Sequence, residues 1–194
     1  MKTRVAVLIS GTGSNMAALL EAGQAPSSAY EVVLVLSNVE GAGGLAVAAA
    51  KGVKTTCIPH KPFGKDRMAH ERAVHAALEA AEVQVVALAG YMRLLTPWLV
   101  GAWRGRMLNI HPSLLPLYPG LDTHARAIAA GDAEAGCSVH LVTEGVDEGP
   151  VLDQARVPVL GDDTPESLAQ RVLTAEHQLY PKALDAFCRR VSQA

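Results

Sequence analysis

Arg4-Val5-Ala6-Val7-Leu8-Ile9-Ser10-Gly11-Thr12-Gly13-Ser14-Asn15 is the stretch that decides the fold. Arg4 to Ile9 is a continuous apolar run, the pattern of a strand buried on both faces. A glycine-rich turn ends it, and Met16 to Glu21 follows as an Ala/Leu helix with Ser14 or Asn15 as its N-cap. The pattern repeats outward from there. Val32 to Leu36 reads as a strand, Leu45 to Lys51 as a helix, Val53 to Ile58 as a strand, Asp66 to Ala81 as a helix and Val83 to Ala89 as a strand. Buried strands alternating with helices predict an α/β fold with a doubly wound, mostly parallel sheet. The rhythm changes after Met107 to Ile110, another short strand. Thr123 to Ala130 is a short helix, and Cys137 to Val142 and Val151 to Val159 are two successive strands, which predicts a mixed, partly antiparallel C-terminal edge. Thr164 then caps, and Pro165 opens, a helix running toward Arg190.

Composition narrows the function classes. A chain of 194 residues has room for one domain that buries roughly 70% of the surface its unfolded form exposes. Seventeen basic and 19 acidic residues leave a net charge of −2. No run of Lys or Arg makes a patch for nucleic acid or an anionic membrane, so small molecules are the expected partners. Cys57, Cys137 and Cys188 are odd in number, far apart and without metal-ligand spacing, which predicts reduced thiols in a cytoplasmic protein. The N-terminus leads into only a short apolar run, and no stretch of 18 apolar residues occurs. Neither secretion nor membrane spanning is expected.

Asn109-Ile110-His111-Pro112-Ser113-Leu114-Leu115-Pro116 closes one strand with two side chains that can donate hydrogen bonds. Side chains two apart on a strand share a face, so Asn109 and His111 project together. Pro112 biases His111 toward extended geometry and ends the strand. An amide donor beside an imidazole suits negative charge on a carbonyl oxygen that is becoming tetrahedral. An ordinary strand end with satisfied polar groups would read the same way. The glycine loop also has two readings. Backbone N–H groups at Gly11, Gly13 and Asn15, together with the helix N-terminus, form an anion site without a charged side chain, whereas a lone Gly-x-Gly is a tight turn. The flanking strand and helix favour phosphate. A dinucleotide-binding loop would place glycine where this chain has Met16, although Glu40 imitates the acidic ribose ligand of such folds. A non-catalytic nucleotide-binding module is therefore the rival from another class.

The octapeptide resembles the signature of the folate-dependent formyltransferases. Ser10 to Asn15, Gly136-Cys137-Ser138-Val139-His140 and Val146-Asp147-Glu148-Gly149-Pro150 narrow the resemblance to the phosphoribosylglycinamide branch of that family, in order from about Arg4 to about Pro181. The resemblance implies a single Rossmann-like formyltransferase domain over 1–194. Its phosphate-binding half would cover about 1–95, and its folate-binding and catalytic half about 96–194. It implies transfer of a formyl group from 10-formyltetrahydrofolate to the amine of phosphoribosylglycinamide, with no metal and no covalent enzyme intermediate. Asn109 and His111 would stabilise the oxyanion. Asp147, in a loop where an Asp is ordinarily a turn former, would hold His111 as imidazolium and relay the amine proton through a water.

By the same resemblance Gly13, Ser14 and Asn15 take the phosphoribosyl substrate. Met92, Arg93, Leu94 and Leu95, at the carboxyl edge of the sheet, line the flat pterin site that His140 borders. Arg67 matches a folate-side arginine if one residue is inserted after Phe63. Glu176 is either a surface helix acid or a contact for the substrate ribose. His70 and His75, five apart, diverge by about 140° on a helix, so a solvated helix face is expected there rather than a zinc site. His60 and His177 are expected at the surface or hydrogen-bonded, and His124 stays a minor candidate. Methionyl-tRNA formyltransferase and formyltetrahydrofolate hydrolase share the octapeptide, but both carry further domains for which this chain has no room. Whether the protein is a monomer or a homodimer is left open.

Overall fold

A computed structural model of the chain describes residues 1–193. Its elements are β1 (Thr3–Ile9), α1 (Ser14–Gln24), β2 (Tyr30–Ser37), α2 (Gly43–Ala50), β3 (Thr55–Cys57), a 3₁₀ turn (Lys61–Phe63), α3 (Arg67–Ala80), β4 (Val85–Leu88), α4 (Pro97–Ala102), β5 (Met107–His111), α5 (Thr123–Ala130), β6 (Glu134–Leu141), β7 (Val151–Pro158) and α6 (Pro165–Val191). They build one seven-stranded sheet in the order β3-β2-β1-β4-β5-β6-β7. The five strands from β3 to β5 run parallel. β6 and β7 are antiparallel additions at one edge, as the change of rhythm after residue 107 predicts. No helix among the described residues is long and apolar enough to cross a membrane.

β1 explains the sandwich. Successive side chains on a strand point to opposite faces. Val5, Val7 and Ile9 enter a core with Met16, Leu19 and Leu20 of α1 and with Leu168, Val172 and Tyr180 of α6. Ala6 and Leu8 enter a second core with Val74 and Leu78 of α3 and Leu99 of α4. A strand with apolar neighbours on both sides needs an unbroken apolar run, which is why the N-terminal stretch does not alternate. β1 is also where strand order reverses, between β2 and β4, and loops leaving the carboxyl ends there open a crevice for ligands.

Three local expectations change. The residue preceding α1 is Gly13, in left-handed conformation at φ 73°, with no side-chain cap, so neither Ser14 nor Asn15 is the N-cap. Asn15 is instead diverted to Glu176, 2.7 Å away. α4 has no counterpart among the elements predicted above, although Thr96 caps it and Pro97 opens it, the pairing that marks Thr164 and Pro165 at the start of α6. The face of α3 that carries His70 and Glu71 is buried, not solvated. His70 Nε2 donates to the Ile58 carbonyl at 2.8 Å, and Glu71 accepts from the Thr96 amide at 2.8 Å. His75 faces elsewhere, accepting from the Trp103 indole at 3.2 Å.

α6 reaches across the sheet through Tyr180, which is fully buried. Its hydroxyl points at the Leu88 carbonyl of β4 (3.0 Å) and the Leu108 carbonyl of β5 (3.3 Å). Burial pushes the phenol well above its ordinary value, so it remains a donor. Loss of that donor strands buried carbonyls beside Asn109. Tyr180→Phe should lower stability by about 1–2 kcal/mol, measured by urea denaturation, with the fold retained.

Candidate active site

β5 ends in Asn109 and His111, and β6 lies antiparallel beside it with His140 opposite Asn109 and Ser138 opposite His111. The expected pairing of Asn109 and His111 on one face is observed, and His140 joins them: Asn109 Nδ2 lies 3.3 Å from His140 Nε2. The loop between β6 and β7 then brings in Asp147. One carboxylate oxygen lies 3.3 Å from His111 Nδ1 and the other 3.5 Å from His140 Nε2. The Gly120 amide donates to the first of these oxygens at 2.9 Å. Asp147 adopts φ 55°, a left-handed conformation that Asp tolerates better than most residues and that often marks a functional position. Gly149 fixes the loop's return, since any Cβ there would collide with the Leu141 carbonyl.

The electrostatics of the cluster follow from these contacts. His111 is nearly enclosed, at 5% exposure. Its Nε2 donates to the Tyr118 carbonyl at 2.9 Å. Because Nδ1 faces a carboxylate, a doubly protonated ring satisfies both contacts. Burial works against the Asp147 charge, but hydrogen bonds from His140 and the Gly120 amide, with the charges of His111 and His140, hold its carboxyl below the ordinary value.

The loop after His111 is held from behind by Ser138. Its hydroxyl donates to the Ser113 carbonyl (2.7 Å) and accepts from the Leu115 amide (3.0 Å) and from Gln154 (2.8 Å). Gln154 also donates to the Leu115 carbonyl at 2.9 Å. Neither supporting role was read from the sequence, because both depend on which strands lie side by side. His124 lines the small cavity under this loop with Pro112 and Tyr118, apart from the Asp147 cluster. Burial and the neighbouring His111 charge push it below its ordinary value.

The glycine loop sits at the carboxyl end of β1 beside a cleft of about 240 Å³ that it shares with Gly90 and Met92. Gly13 is required twice over: its φ is left-handed, and a Cβ would meet Met16 and the Gly44 backbone of α2. Met16 is fully buried beneath the loop. Glu176 is not a surface acid. It is 6% exposed and accepts from Asn15 at 2.7 Å, while the Asn15 amide oxygen is buried without a partner. Burial pushes the Glu176 carboxyl up, with the Asn15 hydrogen bond opposing. At the other wall Met92 and Leu94 are exposed apolar side chains, and Arg67 points its guanidinium at the Leu94 carbonyl, 3.4 Å away. His60 is hydrogen-bonded to Asn38, whereas His177 Nε2 is buried without a partner.

A depressed carboxyl sets the sign of an acid effect. Asp147 adds stability that is fully present above the ordinary value near 3.8 and is lost as pH falls through its lower folded value. The stability gap between wild type and Asp147→Asn should therefore shrink as pH falls below about 4, read by denaturation at each pH. A gap that does not change with pH would remove the ionic role.

The sequence profile of the formyl transferase family matches residues 3–184. A phosphoribosylglycinamide formyltransferase from Brucella melitensis is 55% identical, with a TM-score of 0.93 over 97% of this chain and 96% of that one. The Escherichia coli phosphoribosylglycinamide formyltransferase is 43% identical over 94% of this chain and 86% of its own length. A trifunctional purine biosynthetic protein of Drosophila melanogaster is 48% identical over 94% of this chain, which spans 14% of that protein. With nearly its whole length matched, the chain belongs to the formyl transferase family.

Proposed function

We propose that the chain transfers a formyl group from 10-formyltetrahydrofolate to the amine of phosphoribosylglycinamide, a step of purine synthesis. The observation that carries the reading is the Asp147 carboxylate shared between His111 and His140 beside Asn109. Such a cluster offers donors to an oxygen that gains charge and a base for a proton that must move. The uncapped start of α1 supplies free N–H groups from Ser14 and Asn15 for the substrate phosphate. Glu176, already beside Asn15, is placed for the ribose hydroxyls. Exposed Met92 and Leu94, with Arg67 alongside, suit a flat heterocycle that carries an acidic tail. Arg93 and Leu95 complete that wall.

Formyl folate supplies the one-carbon group, and its nitrogen departs carrying a proton. Asn109 Nδ2 and His111 Nδ1 donate to the formyl oxygen as the carbon becomes tetrahedral. The His111 contact with Asp147 is the longer of its two, so it is the one that can be shared with that oxygen. Asp147, through a water, receives a proton from the attacking amine and returns it to the folate nitrogen as the carbon–nitrogen bond breaks. His140 holds the second carboxylate oxygen and keeps the group aimed. A dinucleotide-binding module fits less well, since buried Met16 fills the space where that loop would carry glycine.

The test is an acceptor assay with 10-formyltetrahydrofolate and, in turn, phosphoribosylglycinamide, methionyl-tRNA and water. Formylation of the first alone is expected; formyl-methionyl-tRNA, or formate released without an acceptor, overturns the reading. In the same assay Asp147→Asn should lower turnover by at least roughly a hundredfold and move either KM only a few-fold, because the carboxylate acts as charge develops. Near-normal turnover would return Asp147 to a turn former.

A further inference from the structure

The cleft beside the glycine loop is closed on the folate side by a chain of side chains that the reaction does not itself use. Ser10, immediately after β1, donates its hydroxyl proton to the carboxamide oxygen of Asn38 at 2.5 Å. Its oxygen accepts from the Met92 amide at 2.8 Å. Asn38, immediately after β2, is 2% exposed, and its backbone carbonyl accepts from His60 Nδ1 at 2.9 Å. The network thus runs across the carboxyl ends of β2, β1 and β4.

Each member fixes the polarity of the next. A backbone N–H can only donate, so Ser10 must present a lone pair to Met92. The one hydroxyl proton goes to the Asn38 oxygen. With that amide turned over, Ser10 would accept from both neighbours and its proton would lose the acceptor it has here. At its start the segment has few other ties: the Met92 side chain is 69% exposed, the Arg67 contact with Leu94 is long, at 3.4 Å, and Ser10 N to the Gly90 carbonyl at 3.1 Å is the neighbouring bond; at its far end Leu95 packs against the second core and Glu71 holds Thr96.

We propose that Ser10, oriented by Asn38, is a positioning residue that holds the Met92–Leu95 loop in the conformation that seats formyl folate and joins that loop to the strand feeding the phosphate loop. The proposal rests on the reading above, in which Met92 to Leu95 form the folate wall. Ser10 precedes Gly11, so one network borders both substrate seats, but its removable hydroxyl bond goes to the folate side alone.

Ser10→Ala removes that bond and leaves the backbone tie to Gly90. Losing one neutral hydrogen bond should raise KM for 10-formyltetrahydrofolate roughly three- to tenfold, while KM for phosphoribosylglycinamide and turnover at saturation change less than about twofold. Ser10→Thr, which keeps a hydroxyl, should restore most of the loss, and the Met92 amide should exchange with solvent faster in Ser10→Ala than in Ser10→Thr. An unchanged folate KM in a folded Ser10→Ala, or an equal rise in both KM values, overturns the proposal. A wild-type protein that does not formylate phosphoribosylglycinamide overturns the underlying reading instead.

Discussion

The carboxylate of Asp147 is the contact on which the site depends. It draws together two strands and two loops, accepting from His111, His140 and the Gly120 amide. A largely buried charge is tolerable only where its lone pairs are occupied, and here three donors from different segments occupy them. Much of the antiparallel edge can be understood as what aligns those donors. Gly136 lets β7 lie so close that a Cβ would collide with the Ala155 carbonyl. Ser138 and Gln154 brace the loop that follows His111. Take the carboxylate away and two imidazoles and the Gly120 amide lose the charged acceptor they share.

The sheet's two kinds of pairing divide the labour. Its parallel centre produces the crevice at the carboxyl ends of β1 and β4, where strand order reverses and backbone amides are left free. Its antiparallel edge places side chains from neighbouring strands directly opposite one another, which is how Asn109 meets His140. The division does not follow the chain: Glu176, late in the sequence, hydrogen-bonds Asn15 of the glycine loop near its start. A single sheet runs through both halves.

Legibility in the sequence tracked locality. The apolar run of β1, the caps at Thr164 and Pro165, and the shared face of Asn109 and His111 each depend on neighbours a few residues away, and each is observed. The features misread or unread depend on distant partners. His70 and Glu71 look like a charged helix face until the Ile58 and Thr96 backbones cover them. Glu176 reads equally as a surface acid or a ligand contact until α1 arrives, and Asn15 looks like a cap until Glu176 claims its amide. Ser10 and Asn38 carry no pattern at all; only the order β2-β1-β4 brings them together. The roles of Asp147 and the folate wall came from family resemblance, because an Asp between glycines is locally indistinguishable from a turn.

The hydrogen bond between Asn15 and Glu176 joins residues 161 positions apart. Closing so long a loop costs entropy that local contacts do not, so this side of the glycine loop is among the last parts of the molecule to be completed. During synthesis the glycine loop and α1 emerge early and can form from near neighbours, yet the Asn15 amide has no partner until α6 has been made and docked. The placement of that side chain is thereby tied to the docking of α6. A ribosome-bound fragment ending before α6 holds the glycine loop and α1 without the bond that fixes the Asn15 side chain.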